Sequence, residues 1–420
     1  MYRSNFTKPI SITSFIIFVA TWLLNSAFTP VKNIHYDSSQ IEFATGSLEE
    51  VLSQAQSSKK YVFVHTTSNS CTPCQGFAES YYQQQSVAEF YNDNFLNFKL
   101  DLDKFQYSNF ARMHELGKDP ALLYFDPNGY MIQKVVNISS ANDLINAGRS
   151  LLKQRTKDNF HNLEAMKNKY DHSYNDTEFL LEFAYLLKTF GEPYNAVVNQ
   201  YLNTQKADDI LNRTNRTFIY DFSDNLENNA IDFFLLDVHH YKEVVGGSQI
   251  NNKIKISISN SIYTAIKETD TQLFDKSLKV IESANLPNAE HFKYYISSEF
   301  YEGTKDWENY AKINLQYFKD YNITDPVLLT DVALNFSLYV KSKSQLNQAI
   351  KWADKSIEID SNYKNNLSLA YLYRRLGKCQ EALKAAEDAS RIGTYRKEDI
   401  SDAERLIDKI KSGRCGTPNP

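Results

Sequence analysis

Apolar and polar positions change their period once along this chain. Between residues 41 and 155, strand-like runs alternate with helix-like stretches. "SLEEVLSQAQSSKK" has helical spacing, "YVFVHTT" is a short apolar β-rich run, and "LNFKLDLD" alternates as a half-buried strand does. "QGFAESYYQQQ" and "SVAEFYNDNF" read as helices, and "SNFARMHELG" as a helix closed by Gly117. "PALLYFDPNGYMIQKVV" reads as a hairpin that turns at Asp126-Pro127-Asn128-Gly129. "SANDLINAGRSLLKQR" is a final helix with Ser140 as its cap. The predicted order β-α-β-α-β-β-α implies a central sheet with helices on both faces.

From about residue 156 the pattern is almost wholly helical. "TEFLLEFAYLLKTFG" and "EPYNAVVNQYLNTQ" have the pattern of a helix pair. "NKIKISISNSIYTAIKET" contains β-branched runs that fit helix or strand, which leaves the fold of residues 205–260 open. Near the C-terminus "NQAIKWADKSIEIDSNY" aligns with "CQEALKAAEDASRIGTY", Ala349 with Ala382, Ala353 with Ala386 and Ser356 with Ala389. Small residues at this spacing let paired helices approach closely. With "LSLAYLYRRLG" ahead of the second copy, the segment resembles the tetratricopeptide repeat, a helix-turn-helix unit. Phe336, Ser337 and Val340 depart from that motif in the first copy. "KEDISDAERLIDKIKSG" is the expected closing helix. The expected division is therefore 41–155 α/β, 156–330 helical, 331–412 repeats with a closing helix, and 413–420 a tail. Such arrays serve as partner-binding surfaces.

Composition refines this picture in two ways. With 13 Gly and 10 Pro in 420 residues, few turns are obligatory and long helices are favoured. A net charge of -5 without a basic block gives no footprint for nucleic acid. The N-terminus differs: Arg3 and Lys8 precede "ISITSFIIFVATWLL", followed by "NSAFTP". Residues 1–27 read as a signal peptide cut near Ser26 or Ala27, or as an uncleaved anchor. The mature part is then expected in the periplasm or outside the cell, and at a membrane only if the segment stays. That compartment permits disulfides.

The chain has 4 cysteines, and two form the C-x-x-C in "TTSNSCTPCQGF". A zinc knuckle would need a second ligand pair, and none exists; His65 and His114 would have to be supplied by the fold. A purely structural bridge would close too small a loop to stabilise much. A redox dithiol fits the position between a strand and a helix. There, free backbone N–H groups and the helix dipole favour a Cys71 thiolate. Cys74, one turn on, would resolve the mixed disulfide.

In order, "YVFVHTT", "CTPC", "LNFKLDLDK" and "KDPALLYFDPNGYMI" give residues 41–155 a resemblance to the exported thioredoxin-like branch. The resemblance implies an α/β thioredoxin-like domain that exchanges disulfides with protein substrates and a redox partner protein, without a cofactor or metal. It also implies that Pro120 is the family's cis-proline, facing the dithiol, and that the backbone at Asp119 pairs with substrate. A strand-starting proline is the alternative. Ser70 and Gln75 stand where the family has Trp and Lys, and His65 where thioredoxin has a buried Asp that accepts a proton. His65 is either such an acceptor or a plain strand histidine. Asp119 beside the thiolate would raise the Cys71 pKa. The competing function is a binding scaffold with a vestigial or regulatory thioredoxin-like module.

Cys379 opens one C-terminal helix and Cys415 follows the next. If the two helices pack antiparallel, the sulfurs meet, and a structural disulfide is expected. The alternative is a buried Cys379 and a free Cys415. The sequons in "NRTNRT" are weak signals in an Asn-rich chain.

Overall fold

A computed structural model describes residues 40–68, 71–117, 120–136, 138–171 and 175–415. The N-terminal apolar run and Asp119 lie outside these residues, as does Ser70.

The α/β part is built on strands β1 (Tyr61–Thr67), β2 (Phe95–Asp101), β3 (Leu122–Phe125) and β4 (Met131–Val135), in the order β2-β1-β3-β4. β1 and β2 run parallel, with Tyr61 opposite Phe95, and the crossover carries α2 (Thr72–Tyr81) and α3 (Gln85–Asn94). β3 runs antiparallel to β1 and β4. The hairpin turns where the sequence places it. Asp126 Oδ1 accepts from Asn128 N and Tyr130 N, each at 2.9 Å, and Gly129 takes φ +89°, a value only glycine adopts readily.

Alternation along β1 splits the core in two. Tyr61, Phe63 and His65 point toward α2, α3 and α5 (Ala141–Leu152), joined by Leu122 and Tyr124. Val62 and Val64 point the other way, onto α1 (Leu48–Ser58). Ser47 and Glu50 form a capping box that fixes the start of α1.

The remainder is helical. Its first part comprises α6 (Lys157–Lys169), α7 (Thr177–Phe190), α8 (Asn195–Thr204), α9 (Arg213–Phe222), α10 (Ala230–Leu236), α11 (Val238–Val244), α12 (Gly247–Glu268), α13 (Thr271–Ser283) and α14 (Ala289–Gly303). The ambiguous "KISISNSIY" is inside α12. Ile250, Ile254, Ile258 and Ile262, four apart, form the buried stripe. Ile256 adds the strand-like alternation because it packs elsewhere, on the sheet's core. Helix, not strand, fills residues 247–268.

α15 (Trp307–Asp320), α16 (Pro326–Tyr339), α17 (Lys343–Ile359), α18 (Tyr363–Arg375), α19 (Cys379–Arg396) and α20 (Ser401–Lys411) share a second core. Ala349, Ala353, Ala382, Ala386 and Ala389 are fully buried there, so the small residues lie at the contacts. Cys379 and Cys415 are joined by a disulfide with Cα atoms 5.8 Å apart, which ties the start of α19 to the segment after α20.

The helical region grips the α/β part through α4 (Ser108–Met113). Arg112 reaches Asp325 at 3.1 Å and Asp331 at 3.3 Å, and Ser108 also bonds Asp331. Asn109 donates to Tyr295 O at 3.1 Å on α14. On the other side, Asn260 of α12 caps the outer edge of β4. It accepts from Met131 N at 2.9 Å and donates to Met131 O at 3.1 Å. A bare edge strand invites pairing with other chains, and a side-chain amide satisfies it here instead.

Candidate functional site: the Cys71–Cys74 corner

The C-x-x-C lies at the end of β1, where the chain turns into α2. Cys71 immediately precedes that helix and Cys74 is in its first turn. The two are disulfide-bonded, with Cα atoms 5.3 Å apart. Cys71 N donates to Ser68 O at 3.1 Å, which closes the turn into the helix. Cys74 N–H points at Cys71 Sγ from 3.2 Å. In the reduced state the same amide would bond a Cys71 thiolate, adding a charge-assisted hydrogen bond to the field of the helix N-terminus. Among the described residues no amide of this helix turn points at Cys74 Sγ, so the backbone favours charge on Cys71. Both cysteines are buried in this oxidised state.

Pro120 lies two residues ahead of β3, beside this corner. It lines a cleft of about 340 Å³ together with Pro73, Phe77, Tyr81 and Leu122. The structure thus brings Pro120 to the dithiol helix. Asp119, and with it the peptide bond into Pro120, lies outside the described residues, as does the side chain of Gln75.

His65 is fully buried on the sheet face covered by α2. Its ring lies 5.7 Å from Phe77, one turn beyond Cys74, and 5.1 Å from Tyr82. Neither ring nitrogen has a hydrogen-bond partner among the described residues. Burial, aided by Lys99 on the neighbouring strand, lowers its pKa to about 4. His65 is therefore neutral near pH 7 and has a free acceptor nitrogen under the dithiol helix. His114, by contrast, packs on Phe110 on the opposite face, and burial lowers its pKa to about 3. Among the described residues no group of three or more His, Cys, Asp or Glu is placed to hold a metal.

Sequence reasoning missed the residues that anchor this corner to the rest of the chain. Ser68 Oγ donates to Asp103 Oδ1 at 2.9 Å, and Lys364 Nζ of α18 donates to Asp103 O at 2.9 Å. No periodicity marks a serine, an aspartate and a lysine spread across 297 positions. Asn215, part of one sequon, is buried and bonded to Tyr201 and Asp209, so it is not open to modification in the folded state.

Residues 48–151 match a family model described as a thioredoxin-like domain. Among solved structures, the chain is similar to a candidate disulphide-isomerase from Bacteroides thetaiotaomicron. The identity is 25% over 26% of this chain and 88% of that one, with a TM-score of 0.24. No curated protein matches the chain. The parallel β1–β2 pair, the antiparallel β3–β4 hairpin and the dithiol at the first strand-to-helix junction agree with the family match: residues 48–151 form a thioredoxin-like domain, followed by a long helical region.

Proposed function

We propose that the protein is an exported thiol–disulfide oxidoreductase acting on protein disulfides. The observation that supports this most is the amide of Cys74 aimed at Cys71 Sγ at the start of α2. In the reducing direction, the Cys71 thiolate attacks a substrate disulfide. One substrate sulfur bonds Cys71 and the other leaves as a thiolate. Cys74 then gives its proton to a neutral acceptor, the role assigned to His65, and attacks Cys71 Sγ. The Cys71–Cys74 bond forms, the mixed disulfide breaks, and two electrons have passed to the substrate. The oxidising direction is the reverse, and the redox partner protein sets which one runs. Pro120 and the backbone at Asp119 are the proposed substrate contacts, and the helical region is the proposed partner-binding part. The N-terminal pattern of residues 1–27 supports export to the periplasm or cell exterior, as a cleaved signal or an anchor. Among the described residues no helix is long and apolar enough to cross a membrane.

The burial of both sulfurs favours a second reading, a binding scaffold whose dithiol is regulatory. Trapping separates the two. Cys74→Ser expressed in an exporting host is expected to accumulate a mixed disulfide to Cys71, visible as a band that thiol reductants release. A Cys74→Ser protein that carries no such adduct, beside wild type that co-purifies with a partner non-covalently, supports the scaffold.

A further inference from the structure

A second cleft, of about 620 Å³, opens where the edge strand β4 meets helices α7, α9 and α12. This volume is in the range of small-molecule sites, which favour such junctions between structural units. Tyr61, Tyr185 and Tyr220 contribute ring surface, and Leu151 and Ile256 add aliphatic surface.

The polar end of the cleft contains Lys188, Lys253, Asp221 and Asp224. Three of these are hydrogen-bonded to one another or to tyrosines. Lys188 donates to Asp221 O and, at 2.6 Å, to Asp224 Oδ2. Asp224 also accepts from Tyr194 at 3.0 Å, and Asp221 accepts from Tyr185 at 2.7 Å. Lys253 differs. Its ammonium sits over the Tyr220 ring, 4.6 Å from the centroid, and among the described residues no oxygen accepts from it and no carboxylate pairs with it. Burial, with Lys188 nearby, lowers its pKa to about 8 against the opposing pull of Asp224 and Asp221. An ammonium carries three donors, and those of Lys253, which lines the cleft, are left to solvent or to a ligand.

We propose that this cleft binds a small organic carboxylate with an aromatic or branched apolar body, its carboxylate on Lys253 and its body among the tyrosines. Charge selects the class. Lys188 and Lys253 balance Asp221 and Asp224, so the cleft is neutral as it stands, and a monocarboxylate takes the unoccupied donors of Lys253 while leaving one net negative charge. A dianion such as a phosphate monoester would bring its second charge against two aspartates. A cationic ligand would meet Lys253 directly. The cleft lies away from the dithiol, and its occupancy does not depend on disulfide exchange.

The test is calorimetric titration of the full chain with 3-phenylpropionate, with 3-phenylpropylamine and 3-phenylpropanol as isosteric controls. The carboxylate is expected to bind saturably at one site and the two controls at least about tenfold more weakly. Lys253→Met is expected to lower the carboxylate affinity about ten- to a hundredfold, the factor a hydrogen bond to a charged group carries, and Lys253→Arg to retain most of it. In wild type, 3-phenylpropionate should also protect Lys253 from acetic anhydride, read by peptide mass spectrometry. That readout holds even if Lys253→Met fails to fold. Absence of saturable binding, equal binding of the amine, or an unprotected Lys253 overturns the proposal.

Discussion

Asp103 holds Ser68 by its carboxylate at 2.9 Å and Lys364 by its carbonyl oxygen at 2.9 Å. Ser68 in turn accepts the Cys71 amide at 3.1 Å. One residue of the β2–α4 connection thus joins the dithiol loop to helix α18 of the C-terminal helical region. Asp103→Ala removes the side-chain tie and leaves the carbonyl in place. The loop before Cys71 should open more readily, and dithiothreitol should reduce the Cys71–Cys74 bond several-fold faster, as expected for about 1 kcal/mol lost from one hydrogen bond. Quenched alkylation read by mass spectrometry gives the rate. An unchanged rate would mean that the tie does not restrain the loop.

His65 combines a burial cost with a proposed chemical role. Both ring nitrogens are buried and have no partner among the described residues, and such groups cost about 1–3 kcal/mol each when unsatisfied. His65→Leu should therefore raise the unfolding midpoint while slowing release of a mixed disulfide from Cys71 at neutral pH. A variant that is more stable and equally fast would make His65 a strand histidine without a proton role. Its ionisation also affects stability. The folded value of about 4 lies below the ordinary 6.5, so the unfolded chain binds more protons between them. This contribution to stability is present above pH 6.5 and is lost as the pH falls toward 4.

Asp126 works in the opposite sense. Burial, with Asp224 nearby, raises its carboxyl to about 7 from an ordinary 3.8. Between these values the folded chain holds the extra proton, so stability falls as the pH rises through that window. Asn in its place keeps the Oδ1 that accepts from Asn128 and Tyr130 and cannot ionise. Asp126→Asn should thus melt several degrees above wild type at pH 8 and much closer to it at pH 4. Equal offsets at both values would contradict the burial account.

The Cys379–Cys415 bridge spans a sequence separation of 36 residues. Loop-closure entropy for that length sets an upper bound of about 4 kcal/mol on its stabilisation. Cys415→Ser should lower the melting temperature and raise amide exchange in α20 first, because that helix is the last element before the bridge and loses its C-terminal tether. Disulfide exchange at Cys71 should be unaffected. A loss of activity without a loss of stability would point to a redox link between the two pairs.

The α/β part was legible because its signals are local. Period-two runs, the Asp126–Gly129 turn and the C-x-x-C each specify their own element, and their order determines the sheet. Residues 205–260 were not legible, because Ile254, Ile256 and Ile258 serve two cores at once and imitate a strand. The site was half legible. Cys71 and Cys74 announce themselves, and the structure brings Pro120 and His65 to the same corner. Asp103, Lys364 and Lys253 gain their meaning only from tertiary contacts, which no spacing encodes.

The most direct test of the central claim is insulin reduction, followed as turbidity with dithiothreitol as the electron source. Wild type is expected to shorten the lag well below that of dithiothreitol alone, and Cys71→Ser is expected to abolish the effect. A wild-type trace that superimposes on the dithiothreitol control, or a Cys71→Ser trace as fast as wild type, would contradict a catalytic dithiol.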